Sequence, residues 1–276
     1  MTLKQSYSYS VNFLELNGVD EADFKAFCLV CHLAGIKNSE YEFHKDDEII
    51  LGRLAEKLWK LKCGEPLQYV IGKWDFYESE FYVGKGVLIP RPETEELVDL
   101  AVRYVKKLDR CVVYDLCAGS GCIGLSIAKA CPNAEVYLIE KSSDAFFYLE
   151  KNAKNISNAH IICDDINNTD NVLMADIIIS NPPYIKTDVV PTLQKEVLNE
   201  PVMALDGGED GLDFYRIINE KWSSLLKKNG VLFLEIGDDQ GEAVVNVLSN
   251  FDDISVIKDL SGNDRIVKAF SNRKEM

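Results

Sequence analysis

The sequence has no segment suited to export or to insertion in a membrane. Its start, MTLKQSYSYSV, lacks the basic stretch and the following apolar stretch that together form a signal peptide. No later apolar run approaches the length of a membrane span, and internal repeats and low-complexity segments are also missing. We therefore expect a cytoplasmic protein with no membrane partner.

Basic residues are in the minority. The 276 residues include 45 acidic and 30 basic side chains, which gives a formal net charge of −15 at pH 7. Such a surface repels the phosphate backbone of nucleic acids. No basic stretch with interleaved aromatic residues is present to counter this repulsion. Direct binding of nucleic acid is therefore not expected.

The eight cysteines stand among apolar residues and do not form the frame of a small disulfide-rich protein, which favours reduced thiols. Cys28 to His32 spell C-x-x-C-H, the spacing of a haem attachment site. However, this segment has helical periodicity, with Asp20 as a possible cap and Gly35 as its end. We interpret the cysteines as small apolar residues on a helix face, and we expect no haem and no metal.

The periodicity divides the chain into three segments. Apolar residues at three- and four-residue intervals predict helices over about 20–63, and hence a small helical domain over 1–65. Residues 66–92 are rich in aromatic residues and glycine, which predicts a β-hairpin connector that turns near Glu78 to Glu80. Strands and helices alternate over 93–276, the third segment.

The alternation in the third segment predicts an α/β domain with an open, mostly parallel, Rossmann-like sheet. The last two strands are separated by LSGND and are expected to pair antiparallel at one edge. The seven strands are predicted at 111–116, 135–140, 159–163, 175–180, 230–236, 253–259 and 264–270.

A glycine-rich loop follows the first of these strands. Gly119, Gly121 and Gly124 satisfy G-x-G-x-x-G, and Glu140 ends the next strand about twenty residues later. By spacing alone, this is a dinucleotide fingerprint in which Glu140 would accept hydrogen bonds from ribose hydroxyls. A purely structural turn after a strand is the other interpretation.

Asp115 argues against a dinucleotide. It stands just before the loop, where a carboxylate beside a doubly negative pyrophosphate is unfavourable. S-adenosylmethionine has no phosphate and carries two cationic groups, so an acidic residue favours it. Asp164 and Asp165 end the third strand, within reach of an adenine amino group. We therefore favour S-adenosylmethionine over NAD as the cofactor.

A strand of apolar residues ends in Asn181-Pro182-Pro183-Tyr184. The turn after this strand opens onto the same crevice as the glycine loop. The prolines fix φ and remove two donors, which leaves rigid carbonyl acceptors. The Asn181 oxygen and the Pro182 carbonyl can each take one hydrogen of a planar NH₂ group, and Tyr184 can stack on its plane. A simple strand break is the alternative.

Several segments resemble the HemK/PrmC family of protein-(glutamine-N5) methyltransferases, which modify peptide-chain release factors. The resemblance covers nearly the whole chain, and its longest segment, GEPLQYVIGKWDFYESEFYVGKGVLIPRPETEELV, is specific to this family. It is also carried by DLCAGSG, NPPY, EPVMALDGGEDGLDFYRII, LFLEIGDDQGEAV and DLSGNDRIVKAF.

The resemblance implies a helical, substrate-recognising domain joined by a hairpin to a class I methyltransferase domain. It also implies methyl transfer from S-adenosylmethionine to the glutamine of the Gly-Gly-Gln motif in release factors, with S-adenosylhomocysteine as the product. A glutamine methyltransferase of a ribosomal protein and a DNA adenine N6-methyltransferase are the alternatives. We expect a monomer.

The resemblance also points to individual site residues. The expected catalytic and glutamine-binding residues are Asn181, Pro182, Pro183 and Tyr184. Arg91 lies in a family signature, IPRPETE, and either orients the substrate loop or is simply exposed before a helix. The family more often has glycine in place of Cys117 and an aromatic residue in place of Ile166. The expected cofactor-binding residues are Asp115, Cys117, Ala118, Gly119, Ser120, Gly121, Glu140, Asp165, Ile166 and Asn181.

Overall fold

The computed structural model describes residues 1–170 and 172–271. The chain forms two compact units. The first unit contains Met1–Lys73 and Gln194–Asn199, and the second contains Trp74–Leu193 and the chain from Glu200 onwards. Within the described residues, no helix has both the length and the apolar character needed to cross a membrane.

The first unit is helical and begins with a helix that the periodicity did not predict. In α1 the buried positions are Leu3, Ser6, Ser10 and Leu14, so two serines occupy the stripe where apolar residues would have indicated a helix. Thr2 begins α1 with a capping box. The helices of this unit are α1 (Leu3–Leu16), α2 (Ala22–Ala34), α3 (Tyr41–His44), α4 (Leu54–Lys62) and α5 (Leu67–Ile71).

The C-x-x-C-H residues lie on α2. Cys28 and Cys31 are buried, and burial raises the pKa of both thiols. Gly35 ends the helix in a left-handed conformation with φ of 71°, as predicted. The residue before the helix is Glu21 and not the predicted Asp20, and its side chain forms no capping hydrogen bond.

The segment predicted as a β-hairpin is partly helical, because α5 precedes the hairpin. Its strands are β1 (Lys73–Phe76) and β2 (Ser79–Tyr82). The turn is therefore at Tyr77 and Glu78, slightly earlier than predicted, and Tyr77 adopts a left-handed φ of 54°.

The second unit confirms the predicted α/β fold. Its sheet has seven strands in the order β5-β4-β3-β6-β7-β9-β8. The strands β3 to β7 are parallel, and β8 and β9 form the expected antiparallel pair at one edge, with β9 beside β7. The strands are β3 (Cys111–Leu116), β4 (Ala134–Glu140), β5 (Ala159–Cys163), β6 (Ala175–Ser180), β7 (Leu226–Glu235), β8 (Phe251–Lys258) and β9 (Asp264–Ser271).

Helices cover both faces of the sheet, which explains the continuous apolar runs of its strands. Val113 of β3 packs with Leu97 and Ile123 on one face, whereas the adjacent Tyr114 packs with Trp222 on the other. The helices are α6 (Thr94–Val105), α7 (Cys122–Ala130), α8 (Ser143–Ala153), α9 (Asp213–Ile217) and α10 (Gly241–Val247), and a π-helical turn (Ile218–Trp222) follows α9.

The strand order reverses at β3. The chain runs from β3 outwards through β4 and β5, and then crosses back to β6 on the other side of β3. Leu116 of β3 pairs with Ile139 of β4 and with Ser180 of β6, so the carboxyl ends of these strands lie side by side. Open α/β sheets bind ligands at such a switch point.

Candidate active site

A cavity of about 240 Å³ opens at the switch point, within the α/β unit. The glycine loop, the ends of β4 and β5, the start of the Asn-Pro-Pro-Tyr turn and α9 all contribute to its wall. The predicted residues on this wall are Arg91, Cys117, Ala118, Gly119, Ser120, Glu140, Asp165, Ile166, Asn181 and Pro183. Among the described residues, four predicted ones are not part of the wall: Asp115, Gly121, Pro182 and Tyr184.

Glu140 holds the glycine loop. Its Oε2 accepts a hydrogen bond from the Gly119 N–H at 2.7 Å, and its Oε1 accepts one from the Ser142 N–H at 2.6 Å. Gly119 and Gly121 have φ of 58° and 81°, which glycine adopts at little cost. Burial raises the pKa of Glu140. The carboxylate therefore shapes the loop and also faces the cavity.

Asp115 lies behind the loop instead of on the wall. It is fully buried, and its Oδ2 accepts a hydrogen bond from the Gly124 N–H at 2.8 Å. Its Oδ1 has no hydrogen-bond partner among the described residues. Burial raises the pKa of Asp115 to about 7. Asp115 is therefore a buried group beneath the loop, and its contact with a cofactor stays a prediction.

Cys117 adopts a left-handed conformation with φ of 59°. This conformation costs a non-glycine residue about 1–2 kcal/mol, which agrees with the glycine that the related family more often has here. Burial, followed by the nearby charges of Glu140 and Asp115, raises the pKa of the thiol. The thiol therefore stays neutral on the cavity wall.

The far end of the cavity is formed by Asp165, Ile166 and Lys141. The Lys141 ammonium pairs with Oδ2 of Asp165 at 2.8 Å. Ile166 is buried, and its carbonyl accepts a hydrogen bond from the Trp222 indole at 3.1 Å. This end combines an acceptor with a fixed apolar surface. Lys141 was not predicted from the sequence.

The Asn-Pro-Pro-Tyr turn is braced by the segment 205–211. The Ile185 N–H donates to the Leu205 carbonyl at 2.9 Å, and the Gly207 N–H donates to the Ile185 carbonyl at 2.8 Å. A Cβ atom at Gly207 would lie 2.7 Å from the Tyr184 Cα. Only glycine permits so close an approach.

Gln240 links this segment to the turn. Its Nε2 donates to the Tyr184 carbonyl at 2.9 Å and to the Gly211 carbonyl at 3.3 Å, and its Oε1 accepts from the Gly237 N–H at 3.0 Å. The side chain is buried, so these bonds are shielded from water. The turn is therefore held by tertiary contacts in addition to its own prolines.

Asn181 lies on the cavity wall, and a chain of side-chain hydrogen bonds holds its amide. Its Nδ2 donates to Oγ1 of Thr94 at 3.3 Å, and the Thr94 hydroxyl donates to Oε2 of Glu235 at 2.7 Å. Thr94 and Glu235 are each only 2% exposed. Among the described residues, none donates a hydrogen bond to Oδ1 of Asn181, so this acceptor is available to a ligand.

The Tyr184 ring packs against the apolar cluster that contains Tyr215, away from the cavity wall. Burial raises the pKa of Tyr184 to about 12, so its hydroxyl stays protonated. The aromatic side chain on the wall, among the described residues, is Phe214 of α9. Stacking of Tyr184 on a substrate therefore stays a prediction.

Arg91 forms an ion pair with Glu200, whose carboxylate is almost fully buried. The other oxygen of Glu200 accepts a hydrogen bond from the Ile89 N–H at 3.0 Å. About a third of the Arg91 side chain is exposed, and it contributes to the wall. Glu200 therefore fixes the signature segment 89–95 and leaves guanidinium donors free to face a ligand.

The charges of the wall favour a cationic ligand. Its carboxylates are Glu140, Asp164, Asp165 and Asp213, and its cations are Arg91 and Lys141, each of which is already paired with a carboxylate. A pyrophosphate would meet excess negative charge here, whereas a sulfonium and an ammonium would be stabilised. The residues present thus fit S-adenosylmethionine.

Sequence reasoning missed the residues that support the site, namely Thr94, Glu235, Glu200 and Gln240. Thr94 and Glu235 both lie in segments that carry the family resemblance, but no role had been assigned to them. Glu235 ends the apolar run VLFLE, just as Glu140 ends β4. An acidic residue at the end of a buried strand was the signal that could have identified it.

Two protein families match the chain. Residues 98–221 match the Methyltransferase small domain, and residues 5–72 match the PrmC N-terminal domain. Curated relatives match most of the chain. The release factor glutamine methyltransferase of Thermodesulfovibrio yellowstonii is 40% identical over 87% of this chain and 89% of its own. That of Moorella thermoacetica is 33% identical over 98% of this chain and 99% of its own.

Solved structures share the fold. The catalytic domain of hMettl16, in complex with an RNA hairpin, has a TM-score of 0.55 at 16% identity, covering 71% of this chain and 77% of that one. The T. thermophilus 16S rRNA methyltransferase RsmC, in complex with AdoMet and guanosine, has a TM-score of 0.52 at 18% identity. That match covers 72% of this chain and 50% of the other. At these identities the likeness shows the fold alone.

Proposed function

Because the chain belongs to the release factor glutamine methyltransferase family, we propose that it methylates a glutamine side-chain amide of peptide-chain release factors, in the Gly-Gly-Gln motif. The observation that carries this proposal is Asn181, which lies on the same cavity wall as the glycine loop and whose side-chain oxygen accepts no hydrogen bond from the described residues. The methyl donor is S-adenosylmethionine, and S-adenosylhomocysteine leaves.

We assign the cofactor to the cavity by the chemistry of its wall. Glu140 accepts from the ribose hydroxyls, since each of its oxygens retains a lone pair beyond its backbone partner. Asp165 and Ile166 would hold the adenine end, and the glycine loop, residues 117–121, would hold the methionine end. Asp115 contributes from beneath the loop, where a cation nearby would stabilise its ionised form.

We assign the glutamine amide to the turn. When bound, S-adenosylmethionine supplies a methyl group on a positively charged sulfur. Oδ1 of Asn181 and the carbonyl of Pro182 accept the two amide hydrogens, which orients the nitrogen and favours its lone pair for attack. As the nitrogen forms its bond to the methyl carbon, the bond from that carbon to sulfur would break with its electron pair kept by sulfur, and the nitrogen would lose one proton to solvent. No nucleophilic side chain of this protein is needed.

The remaining contacts concern the acceptor protein. Pro183 and Phe214 supply apolar surface beside Asn181, and Arg91, held by Glu200, orients the Gly-Gly-Gln loop through its exposed donors. We further propose that the helical segment 1–65 recognises the release factor, with residues 66–92 as the connector and 93–276 as the methyltransferase domain.

The function is tested by transfer of label from S-adenosylmethionine to separate acceptors. A purified release factor should be labelled, whereas its Gln→Ala variant in the Gly-Gly-Gln loop should not. Ribosomal proteins and duplex DNA are the comparison acceptors. Label on DNA, on a ribosomal protein alone or equally on both forms of the factor would contradict the proposal.

A further inference from the structure

Thr94 and Glu235 form a buried polar pair beside Asn181 that the proposed chemistry does not use directly, and Thr94 also contributes to the cavity wall. Thr94 begins α6 and Glu235 ends β7, so the two residues come from distant parts of the sequence. Both are buried, and the hydroxyl of Thr94 stands between the Glu235 carboxylate and the Asn181 amide. Because the Thr94 hydroxyl has a single proton, it can donate a hydrogen bond to only one of these two neighbours.

The direction matters because the two ends of the Asn181 amide are chemically opposite. Its oxygen accepts hydrogen bonds, and its nitrogen donates them. A substrate NH₂ group needs the Asn181 oxygen as its acceptor. If the Asn181 amide were turned by 180°, its own NH₂ group would face the NH₂ group of the substrate, and no hydrogen bond would form. Such a reversal leaves the backbone and the shape of the site unchanged.

We propose that Thr94 and Glu235 are positioning residues that fix the orientation of the Asn181 amide. An ionised carboxylate only accepts hydrogen bonds, so Glu235 takes the single proton of Thr94. Thr94 can then only accept from Asn181, which must present its nitrogen to Thr94. The Asn181 oxygen is thereby directed to the cavity. The inference deepens the proposed function and rests on it.

The charges around Glu235 make this arrangement sensitive to pH. The titratable groups that act on it, in addition to the Thr94 hydroxyl, are Arg265, Arg91, Glu93, Tyr184, Tyr215 and Cys122. Burial raises the pKa of Glu235 to about 7. When protonated, Glu235 can donate to Thr94, and Thr94 can then donate to the Asn181 oxygen. The orientation would reverse, so turnover should fall as the pH drops below about 7.

The first test compares Thr94→Val with Thr94→Ser. Valine keeps the shape of threonine but cannot relay a hydrogen bond, whereas serine keeps the hydroxyl. We expect Thr94→Val to lower kcat at least about tenfold, with the Kd of S-adenosylmethionine changed less than about twofold. Thr94→Ser should restore most of kcat. A Thr94→Val enzyme with normal kcat would overturn the inference, as would equal losses of turnover and cofactor affinity.

The second test is the pH profile of kcat for Glu235→Gln. A glutamine side chain gains no proton near neutral pH, whichever end of its amide faces Thr94. The fall in kcat below about pH 7 should therefore disappear in this variant. An unchanged acidic limb would assign the titration to another group and contradict the proposed relay.

The third test needs no acceptor protein, so it separates this inference from the proposed function. The side-chain NH₂ signals of Asn181, assigned by their loss in Asn181→Ala, should be protected from exchange and should shift with pH near 7. Thr94→Val should abolish both properties. Asn152 is the internal reference, because its Nδ2 donates to the carbonyls of Tyr82 and Ser120. Identical Asn181 signals in wild type and Thr94→Val would refute the relay.

Discussion

At the scale of single residues, Glu140 and Asn181 occupy similar places but have different chemistry. Each is found at the carboxyl end of a strand next to β3, and each faces the cavity. Glu140 uses its oxygens to hold the glycine loop, whereas no residue that the structure describes donates a hydrogen bond to the Asn181 oxygen. Binding of the cofactor and activation of the amide should therefore be separable by mutation.

We predict that Asn181→Ala lowers kcat by about two to three orders of magnitude while it retains most affinity for S-adenosylmethionine. Glu140→Ala should instead weaken cofactor binding about tenfold or more, because a charged acceptor of ribose hydroxyls is lost. Calorimetric titration and single-turnover kinetics measure the two effects. Comparable turnover in the Asn181 variant would refute the proposed mechanism.

At the scale of elements, the Asn-Pro-Pro-Tyr turn depends on a neighbour that is far away in sequence. Gly211 adopts φ of 76°, and a Cβ atom there would lie 2.5 Å from the Tyr184 carbonyl oxygen. Gly262, in the turn between β8 and β9, adopts φ of 87° with no atom within 4 Å of a Cβ. Both glycines therefore have a positive φ, but only Gly211 lies against the Asn-Pro-Pro-Tyr turn.

We predict that Gly211→Ala lowers the free energy of unfolding by roughly 1–3 kcal/mol more than Gly262→Ala does. Both variants place alanine at positive φ, so their difference reports the clash with the turn. Gly211→Ala should also lower kcat, because the acceptors of Asn181 and Pro182 would shift. Denaturant unfolding and turnover are the measurements, and equal values for both variants would show that the segment does not brace the turn.

The elements of the α/β unit were predictable because their strands are buried on both faces. Continuous apolar runs and intervening helical patterns located all seven strands to within a few residues. The helical unit was less predictable. Serines occupy the buried stripe of α1, and the aromatic residues around α5 favoured a strand. Local pattern fails where polar residues are buried by tertiary packing.

At the scale of the whole molecule, two buried carboxyls should make the stability depend on pH. Burial raises the pKa of Asp115 and of Glu235 to about 7, from ordinary values near 4. Between these values, the folded chain retains protons that the unfolded chain releases. The free energy of unfolding therefore falls as the pH rises through this window. The net charge of −15 acts in the same direction through self-repulsion.

We predict that the free energy of unfolding is roughly 2 kcal/mol or more lower at pH 8 than at pH 5.5. The double variant Asp115→Asn, Glu235→Gln should show a flatter dependence, because neither amide titrates. Urea unfolding across this pH range, at constant ionic strength, measures both. If the double variant shows the same slope, the charge of the surface alone causes the pH dependence.

The sequence by itself determined the strand pattern, the glycine loop and the Asn-Pro-Pro-Tyr turn, because each depends on local periodicity or on backbone geometry. It also indicated the kind of ligand, since charge and donor chemistry are properties of residue types. Only the tertiary structure decided which groups meet. It placed Asp115 beneath the loop and Tyr184 off the cavity wall, and it joined Thr94 to Glu235 beside Asn181. Such contacts depend on strand order and burial, which bring together Thr94 and Glu235 although they are 141 positions apart.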